Sequence, residues 1–328
     1  MINPRYLLRL SYDGTRFSEM AKGGTGYGVI DMLEKVISYS LTKKENKIRC
    51  SPSSRTDSGV HALYNSVMLQ TPKQYDISTD KETHIYKWNN MINVINPNSM
   101  KILDYTKVAP GFCIRRHVSY RIYTYRLVVA KNMDIWETNK LSPSLVAFTE
   151  KDYSWMIPPG FDSSKAQDAC DVFKGVHNMA SFYKHPLREK NKEYENGSDF
   201  QNTIKDMLLV KISGGAPRIF DNDLYDYFNV SIISRSFLRE QIRRMMFLIV
   251  ACGYGRMNTS TIEYLLKNPS PTNFFNMKLR IAPPGGLFLT DVVYDPRMIE
   301  NPNPMYYNTW DTAEFDDKLN KWFTCKEE

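Results

Sequence analysis

The chain has 328 residues, of which 42% are hydrophobic, and this length predicts a substantial buried core in one large or two modest domains. Lys and Arg number 43 against 36 Asp and Glu, so the net charge is +7, which permits a polyanionic partner without requiring one. No apolar run approaches the roughly 20 residues that span a bilayer, so we expect a soluble protein without a membrane partner.

Cysteine and histidine usage limits the chemistry further. The five cysteines have no regular spacing, and their odd number argues against a disulfide framework. The five histidines are equally dispersed, without the spacing typical of metal ligands. We therefore expect a reducing compartment, no metal and no cofactor. A strand-like segment begins at residue 6, which leaves too little chain for an ordinary N-terminal targeting sequence. An internal signal is still compatible with the sequence, so mitochondrial and cytoplasmic locations both stay open.

Strand-like and helix-like segments alternate along the chain. Apolar patterning predicts strands at 6–11, 66–70, 100–105, 119–129, 206–213, 224–233 and 287–294. Apolar residues at helical spacing predict helices at 29–41, up to about 93, at 164–173 and at 236–252. This order is typical of an α+β fold made of two mixed α/β units. We expect the first unit at 1–105, the second at 106–296 and a C-terminal tail at 297–328.

Three stretches are expected at the periphery of the fold. Residues 131–160 are predicted to form an irregular insertion, and residues 187–200 a charged loop. The tail has apolar residues at the spacing of a short amphipathic helix, namely Phe315, Leu319, Trp322 and Phe323. A glycine-rich segment at 23–28 lacks the Gly-Lys-Ser/Thr ending of a phosphate-binding loop, so we expect an ordinary loop there.

The most informative segment is Ser-Ser-Arg-Thr-Asp-Ser-Gly-Val-His-Ala-Leu, at residues 53–63. It follows the end of a strand near Cys50, and Asp57-Ser58-Gly59 supplies residue types that tolerate a tight turn. A carboxylate on such a turn can be directed into a cleft. Taken alone, Arg-Thr-Asp is more often a surface turn with a local ion pair that contributes little.

The predicted strand at 119–129 places Arg121, Tyr123 and Tyr125 on one face, because strand side chains alternate with a period of two. An arginine and two tyrosines on one face are unusual for a core. A half-exposed structural strand is nevertheless the more frequent outcome of such a pattern, since aromatic residues favour strands in general.

Two further segments follow in the C-terminal half. Arg235, Arg239 and Arg243 recur every four residues around the predicted helix and so share one side of it. A solvated basic face and a functional face fit this pattern equally well. Ala-Pro-Pro-Gly-Gly-Leu-Phe-Leu, at 282–289, predicts a turn that enters a strand.

Taken in order, these four segments resemble the motifs of the TruA family of tRNA pseudouridine synthases. The resemblance covers residues 6–294. It implies the pseudouridine synthase fold, an α+β fold in which two mixed α/β units form a continuous antiparallel-rich sheet with helices packed on it and a central cleft. It also implies an isomerase that converts uridine to pseudouridine in RNA, with tRNA as the expected partner. The motifs are most similar to those of the mitochondrial pseudouridine-synthase-like proteins.

The same resemblance implies a role for individual residues. Asp57 is the essential catalytic aspartate, Tyr123 faces it, and Arg243 binds its carboxylate through a bidentate guanidinium. A phenol at Tyr123 could stack under the target base and accept the proton from C5. Leu287 and Leu289 line the site. The expected RNA-binding residues are Arg55, which would help to displace the target uridine, and Arg115, Arg121 and Arg239.

The chain also departs from the family pattern. Ser18-Glu19-Met20 stands where bacterial members carry Gly-Trp-Gln, so the loop that contacts tRNA there is expected to have a different role here. Asn178 and Met179 replace the Asp and Phe of a structural family box. Asn202 stands where the family often has arginine, which removes one positive charge.

Several alternatives stay open from the sequence. A catalytically silent RNA-binding protein of the same fold would keep the basic residues, although intact Asp57, Tyr123 and Arg243 argue against it. A hydrolase would need a second convergent carboxylate, which no motif supplies. The sequence does not decide between a tRNA and a mitochondrial mRNA as substrate, between a monomer and a homodimer, or for or against a covalent adduct at Asp57.

Overall fold

The structure is a computed structural model that describes residues 3–20, 26–43, 48–141, 145–184, 203–218 and 223–302. Its strands are β1 (Arg5–Tyr12), β2 (Arg49–Pro52), β3 (His61–Gln70), β4 (Met100–Lys107), β5 (Val118–Ala130), β6 (Trp155–Ile157), β7 (Gly175–Asn178), β8 (Ile204–Gly214), β9 (Tyr225–Ser234) and β10 (Leu287–Tyr294). Its α-helices are α1 (Val29–Thr42), α2 (Lys81–Ile95), α3 (Met133–Leu141), α4 (Leu145–Glu150), α5 (Ser163–Val172), α6 (Gln241–Gly253), α7 (Thr259–Lys267), α8 (Asn273–Asn276) and α9 (Pro296–Glu300).

The chain divides into two compact units at Tyr120/Arg121 and returns to the first unit at Leu289. The sequence-based boundaries, at 105 and 296, differ from this division. The reason lies in the connection between β4 and β5, which is hydrogen-bonded to the first unit: Val108 N–H donates to the Arg5 carbonyl (3.0 Å) and Tyr294 Oη donates to the Ile114 carbonyl (2.8 Å).

In the first unit the strand order is β4-β1-β3-β10, and β2 also pairs with β3. The pairs β1/β3, β1/β4 and β2/β3 are all antiparallel. Helix α1 buries the apolar stripe that its spacing predicted, namely Ile30, Leu33, Val36 and Ile37. Its first turn is fixed by a hydrogen bond from Gly28 N–H to Asp31 Oδ2 (3.0 Å). The helical spacing at 29–41 therefore predicted this helix correctly.

In the second unit the strand order is β5-β9-β8-β7, with antiparallel pairs throughout that series. The short β6 pairs with β5 in parallel. Helix α5 packs against α6, and small buried residues, Ala166 and Ala169, allow that close approach. Both units are thus mixed α/β with mostly antiparallel sheet, which confirms the expected fold class.

The prediction of an irregular insertion at 131–160 is wrong, because this stretch contains α3, α4 and β6. Its order comes from tertiary packing that no local pattern reveals. Ile135, Trp136 and Met156 pack against a buried apolar cluster of the second unit. Glu150, which is almost fully buried, receives two hydrogen bonds from the Arg126 guanidinium at 2.6 and 2.8 Å.

The helices of the C-terminal half differ from the predicted elements. Helix α6 begins at Gln241 rather than at Ser236, and α7 was not predicted at all. The charged loop at 187–200 and the amphipathic helix of the tail lie outside the described residues.

Among the described residues, no helix is both long and apolar enough to cross a membrane.

Candidate active site

Asp57 lies on a tight turn between β2 and β3, as the sequence predicted. Val60 N–H donates to the Asp57 carbonyl (3.1 Å), and Gly59 has a φ of 77°, in the left-handed region that glycine adopts without strain. The Asp57 side chain is half-buried, whereas Ser58 is exposed. The turn therefore presents the carboxylate at a partly desolvated position.

A buried network of uncharged polar groups holds the residues just before Asp57 in place. The Thr56 hydroxyl hydrogen-bonds the Tyr12 hydroxyl at 2.8 Å. Asn65 Nδ2 donates to the same tyrosine oxygen and to the Ser54 carbonyl, both at 3.2 Å. Asn65 is fully buried in the middle of β3, so its amide is committed to these partners. Strands β1 and β3 thus jointly fix the residues before Asp57.

Gly14 packs directly against the Asp57 turn. A β-carbon on Gly14 would lie 2.5 Å from the carbonyl carbon of Val60 and 2.8 Å from its nitrogen, so only glycine fits. Gly14 N–H also donates to Nδ1 of the buried His61 (3.2 Å), and that nitrogen lies 3.2 Å from Asp13 Oδ1. The segment Asp13-Gly14 is therefore a second support of the turn.

Two of the predicted RNA-binding residues, Arg55 and Arg115, lie in the first unit of the structure, and both are exposed. Arg115 Nε donates to the Pro52 carbonyl (3.3 Å), and Ser53 Oγ donates to the Ile114 carbonyl (3.2 Å). The segment before β5 is therefore hydrogen-bonded to the residues that lead into the Asp57 turn.

In the second unit, β5 buries Arg121, Tyr123 and Tyr125 on one face, as the alternation predicted. The Tyr123 ring meets Phe237 edge to face, with ring centroids 5.1 Å apart. The Tyr125 hydroxyl donates to the Pro283 carbonyl (2.7 Å). Burial raises the pKa of Tyr125 well above its ordinary value, although the positive charge of Arg243 acts in the opposite direction.

Arg121 is a buried cation rather than a surface one. Its Nη1 donates to the main-chain carbonyl of Arg235. Burial lowers the pKa of Lys205, and the positive charge of Arg121 lowers it further, so the two cations sense each other. Arg121 can contact RNA, as predicted, only if a phosphate of the RNA reaches this buried guanidinium.

Arg243 is positioned by reciprocal hydrogen bonds with the turn that enters β10. Its Nε donates to the Ala282 carbonyl (2.8 Å), and Ala282 N–H donates to the Arg243 carbonyl (3.1 Å). The guanidinium is thus held at one end by the main chain. The predicted basic stripe is wrong, because the exposed Arg235 and Arg239 precede α6 and do not share a helix face with Arg243.

Helix α6 begins late because Glu240 has a left-handed backbone, with a φ of 61°. Its carboxylate pairs with Lys184 Nζ (2.8 Å) and Arg244 Nη2 (3.2 Å). Burial tends to raise the pKa of Glu240, but hydrogen bonds from these two cations outweigh burial and lower it. An ionised carboxylate therefore fixes the start of the helix that carries Arg243.

The predicted lining residues Leu287 and Leu289 are both buried. They follow a turn in which Leu287 N–H donates to the Pro284 carbonyl (2.9 Å). A β-carbon on Gly286 would lie 2.7 Å from the Tyr125 ring, so glycine is required for the strand to pack there. Tyr125 and the 282–286 turn are therefore mutually fixed.

The two departures from the family box have structural roles in the second unit. Asn178 Oδ1 accepts hydrogen bonds from Ala180 N–H (3.1 Å) and the Thr203 hydroxyl (2.8 Å). Met179 is fully buried. Asparagine therefore replaces aspartate as an acceptor without adding a charge. The altered loop at 18–20 places Met20 in the core, while Ser18 is exposed.

Sequence reasoning missed Tyr12, Gly14 and Asn65, which support the Asp57 turn in the first unit, and Ala282, which supports Arg243 in the second. The one signal for them was Asn65, an amide side chain at the centre of a strand. Among the described residues, no group of three or more His, Cys, Asp or Glu side chains could hold a metal ion.

Comparison with known proteins agrees with this architecture. Residues 169–295 match the family described as tRNA pseudouridine synthase. The chain is 29% identical to tRNA pseudouridine synthase-like 1 of Xenopus laevis, over 89% of this chain and 91% of that protein. It is 27% identical to the Homo sapiens protein of the same name, with the same two coverages. It is 25% identical to tRNA pseudouridine synthase A of Methylobacterium nodulans, over 91% and 99% of the two chains.

The mixed α/β units with mostly antiparallel sheet, together with these matches, agree with the pseudouridine synthase class of protein. Within that class, the chain is similar to the TruA family of tRNA pseudouridine synthases, at modest identity over most of its length.

Proposed function

We propose that this protein isomerises uridine to pseudouridine in RNA, with a tRNA as its substrate and Asp57 as its essential catalytic residue. The observation that carries the proposal is the Asp57 turn, in which a half-buried carboxylate is supported by a buried neutral network. The names and coverage of the relatives support the reaction class and the tRNA substrate.

The reaction breaks the C1′–N1 bond, rotates the uracil and forms a C1′–C5 bond. The C5 proton leaves and N1 gains a proton, so no atoms are added or lost. Breaking the glycosidic bond develops positive charge at C1′, and a carboxylate such as Asp57 stabilises that charge, as it does in glycoside chemistry. Tyr123 is proposed to stack on the base and to accept the C5 proton.

The aspartate is tested by Asp57→Asn, which keeps the shape and removes the charge. We expect isomerisation, measured as tritium release from 5-tritiated uridine in RNA, to be abolished while RNA affinity stays within a few fold. Asp104→Asn is the matched control, because Asp104 is a carboxylate of the same unit that pairs with Lys81 on the surface. Normal tritium release by Asp57→Asn would refute the assignment.

Arg243 is proposed to hold the Asp57 carboxylate through its guanidinium. Arg243→Lys keeps the charge but removes the fork, and we expect activity to fall by at least about a hundredfold. A purely structural effect on the Ala282 turn would instead lower the melting temperature of Arg243→Lys, so both activity and melting temperature are measured. Arg235→Lys, at an exposed arginine, is the control. Near-normal activity of Arg243→Lys would contradict this role.

The alternative function is RNA binding without catalysis. The exposed Arg55, Arg115 and Arg239 favour an RNA partner under either function. The two are separated by the product: a silent binder retains RNA and forms no pseudouridine. Comparing pseudouridine maps of tRNA and of mitochondrial mRNA, with and without the protein, identifies the substrate.

A further inference from the structure

Two adjacent aromatic residues of the second unit have opposite environments. Phe274 is 3% exposed, whereas Phe275 is 85% exposed. Both lie on the short helix α8, which is followed by the exposed apolar residues Met277 and Ile281. We call residues 273–281 the Phe275 loop. A single exposed aromatic ring is common on protein surfaces, but one followed within six residues by two further exposed apolar residues is a candidate contact surface.

The backbone that presents Phe275 is fixed on both sides. The Arg244 guanidinium lies over the Phe274 ring, 4.7 Å from its centroid. Leu279 N–H donates to the Phe274 carbonyl (3.1 Å), and Asn273 Nδ2 donates to the Asn268 carbonyl (2.6 Å). Binding through Phe275 therefore costs little conformational entropy, because only its own side chain has to be ordered.

Charge identifies the kind of partner. Residues 264–290 contain no Asp or Glu, and Lys278 and Arg280 within the Phe275 loop are both exposed. A positive surface with a protruding aromatic ring suits single-stranded nucleic acid, where the ring stacks on a base and the cations meet phosphates. A second copy of this chain is a poorer fit, because it carries a net charge of +7 itself.

The Phe275 loop is also connected to the candidate site. The loop ends at Ile281, directly before Ala282. The Ala282 carbonyl accepts a hydrogen bond from Arg243 Nε, and Ala282 N–H donates to the Arg243 carbonyl. A ligand held on this loop is therefore bound next to the segment that positions the site arginine.

We propose that the Phe275 loop binds an unpaired nucleotide of the RNA substrate, with Phe275 stacked on the base and Lys278 and Arg280 on neighbouring phosphates. This inference rests on the proposed function for its substrate, but it concerns residues that carry no catalytic role. It predicts a preference for single-stranded over duplex RNA at this surface.

The test measures binding by fluorescence anisotropy in the Asp57→Asn background, with a labelled 20-nucleotide oligouridylate and a blunt RNA duplex of equal length. We expect Phe275→Ala to weaken binding of the single strand by at least about fivefold, the lower limit for loss of one base–aromatic stack. Duplex binding should change by less than about twofold, and Phe275→Trp should restore the affinity, because its ring also stacks. Unchanged melting temperatures establish that the variants are folded.

Phe148→Ala is the matched control. Phe148 is 67% exposed in the same unit, but it lies near Glu150 and Asp152 rather than in an acid-free segment. We expect it to leave both affinities unchanged. Replacing both Lys278 and Arg280 with glutamine should weaken the binding of both RNA probes. The log–log slope of affinity against salt should become less steep by about two, one for each lost phosphate contact.

Three outcomes would overturn the inference: equal single-strand affinity of Phe275→Ala and its parent, no binding of either probe by the parent, or loss of self-association in Phe275→Ala with unchanged RNA affinity. Failure of the proposed function is seen separately. In that case the wild-type chain releases no tritium from 5-tritiated uridine in RNA, whatever the binding measurements show.

Discussion

Gly14→Ala tests the inference that the Asp57 turn is positioned by its packing against the Asp13-Gly14 segment after β1 rather than by its own sequence. The substitution adds a single methyl group, and Gly14 carries no group that could take part in chemistry. Its added β-carbon would lie 2.5 Å from the Val60 carbonyl carbon. Carbon atoms in favourable contact lie about 3.5–4.0 Å apart, so the turn has to move by about 1 Å.

That displacement sets the expected effects. A misplacement of about 1 Å in a catalytic group costs about a hundredfold in rate, so we expect kcat to fall by that order. Overpacking of a buried position costs typically about 1–3 kcal/mol of unfolding free energy, which a domain of this size tolerates. The catalytic loss should therefore exceed what partial unfolding accounts for.

The assay is tritium release at saturating RNA, with unfolding by denaturant measured on the same preparations. Gly214→Ala is the matched control, because a β-carbon there meets nothing within 4 Å. It should leave both kcat and stability nearly unchanged. If Gly14→Ala folds and retains normal kcat, the turn is not held by this contact and the reasoning is refuted.

Three further predictions concern charge and burial. Glu240→Gln should lower stability near neutral pH. The difference should begin to shrink as pH falls below the unfolded-state glutamate pKa of about 4.3, and should be lost as pH falls through the lowered pKa of the folded protein, because the carboxylate stabilises only while it is ionised. A difference that does not shrink on acidification below about pH 4 would contradict this. At pH 8, maleimide should label the partly exposed Cys113 of the native protein before Cys170 and Cys252. Burial raises the pKa of Cys170 to about 12 and that of Cys252 to about 11, so both stay protonated thiols. Equal labelling rates of the three, mapped by mass spectrometry, would contradict this prediction. RNA affinity should fall with salt at a log–log slope of roughly −3 to −5 for about four to six phosphate contacts, while kcat changes little; a flat affinity profile would contradict it.

The sequence predicted the elements whose pattern is local. The strands around Tyr6 and Tyr123 and the helix that begins at Val29 were found because alternation and helical spacing survive in the sequence. The insertion at 131–160 was not, since its order depends on a buried pair between Arg126 and Glu150, and the sequence does not reveal which distant residue neutralises a charge.

The start of α6 shows a different limit. Three arginines at a four-residue spacing predicted one basic helix face, but the helix begins after Glu240, whose left-handed backbone breaks that spacing. Glutamate has no local preference for this conformation. It is held there by Lys184 and Arg244, and Lys184 is distant in sequence. Of the three arginines, Arg243 alone lies on helix α6, as predicted.

The candidate site combines two kinds of support, and their physics explains why salt should separate binding from chemistry. The groups behind Asp57, namely Tyr12, Thr56 and Asn65, are uncharged and buried, so dissolved ions neither reach them nor weaken their hydrogen bonds. The arginines proposed to bind RNA, including Arg55, are exposed, so dissolved salt screens any interaction that they make with phosphates. A rise in ionic strength therefore acts on the capture of RNA and leaves the aim of the carboxylate unchanged.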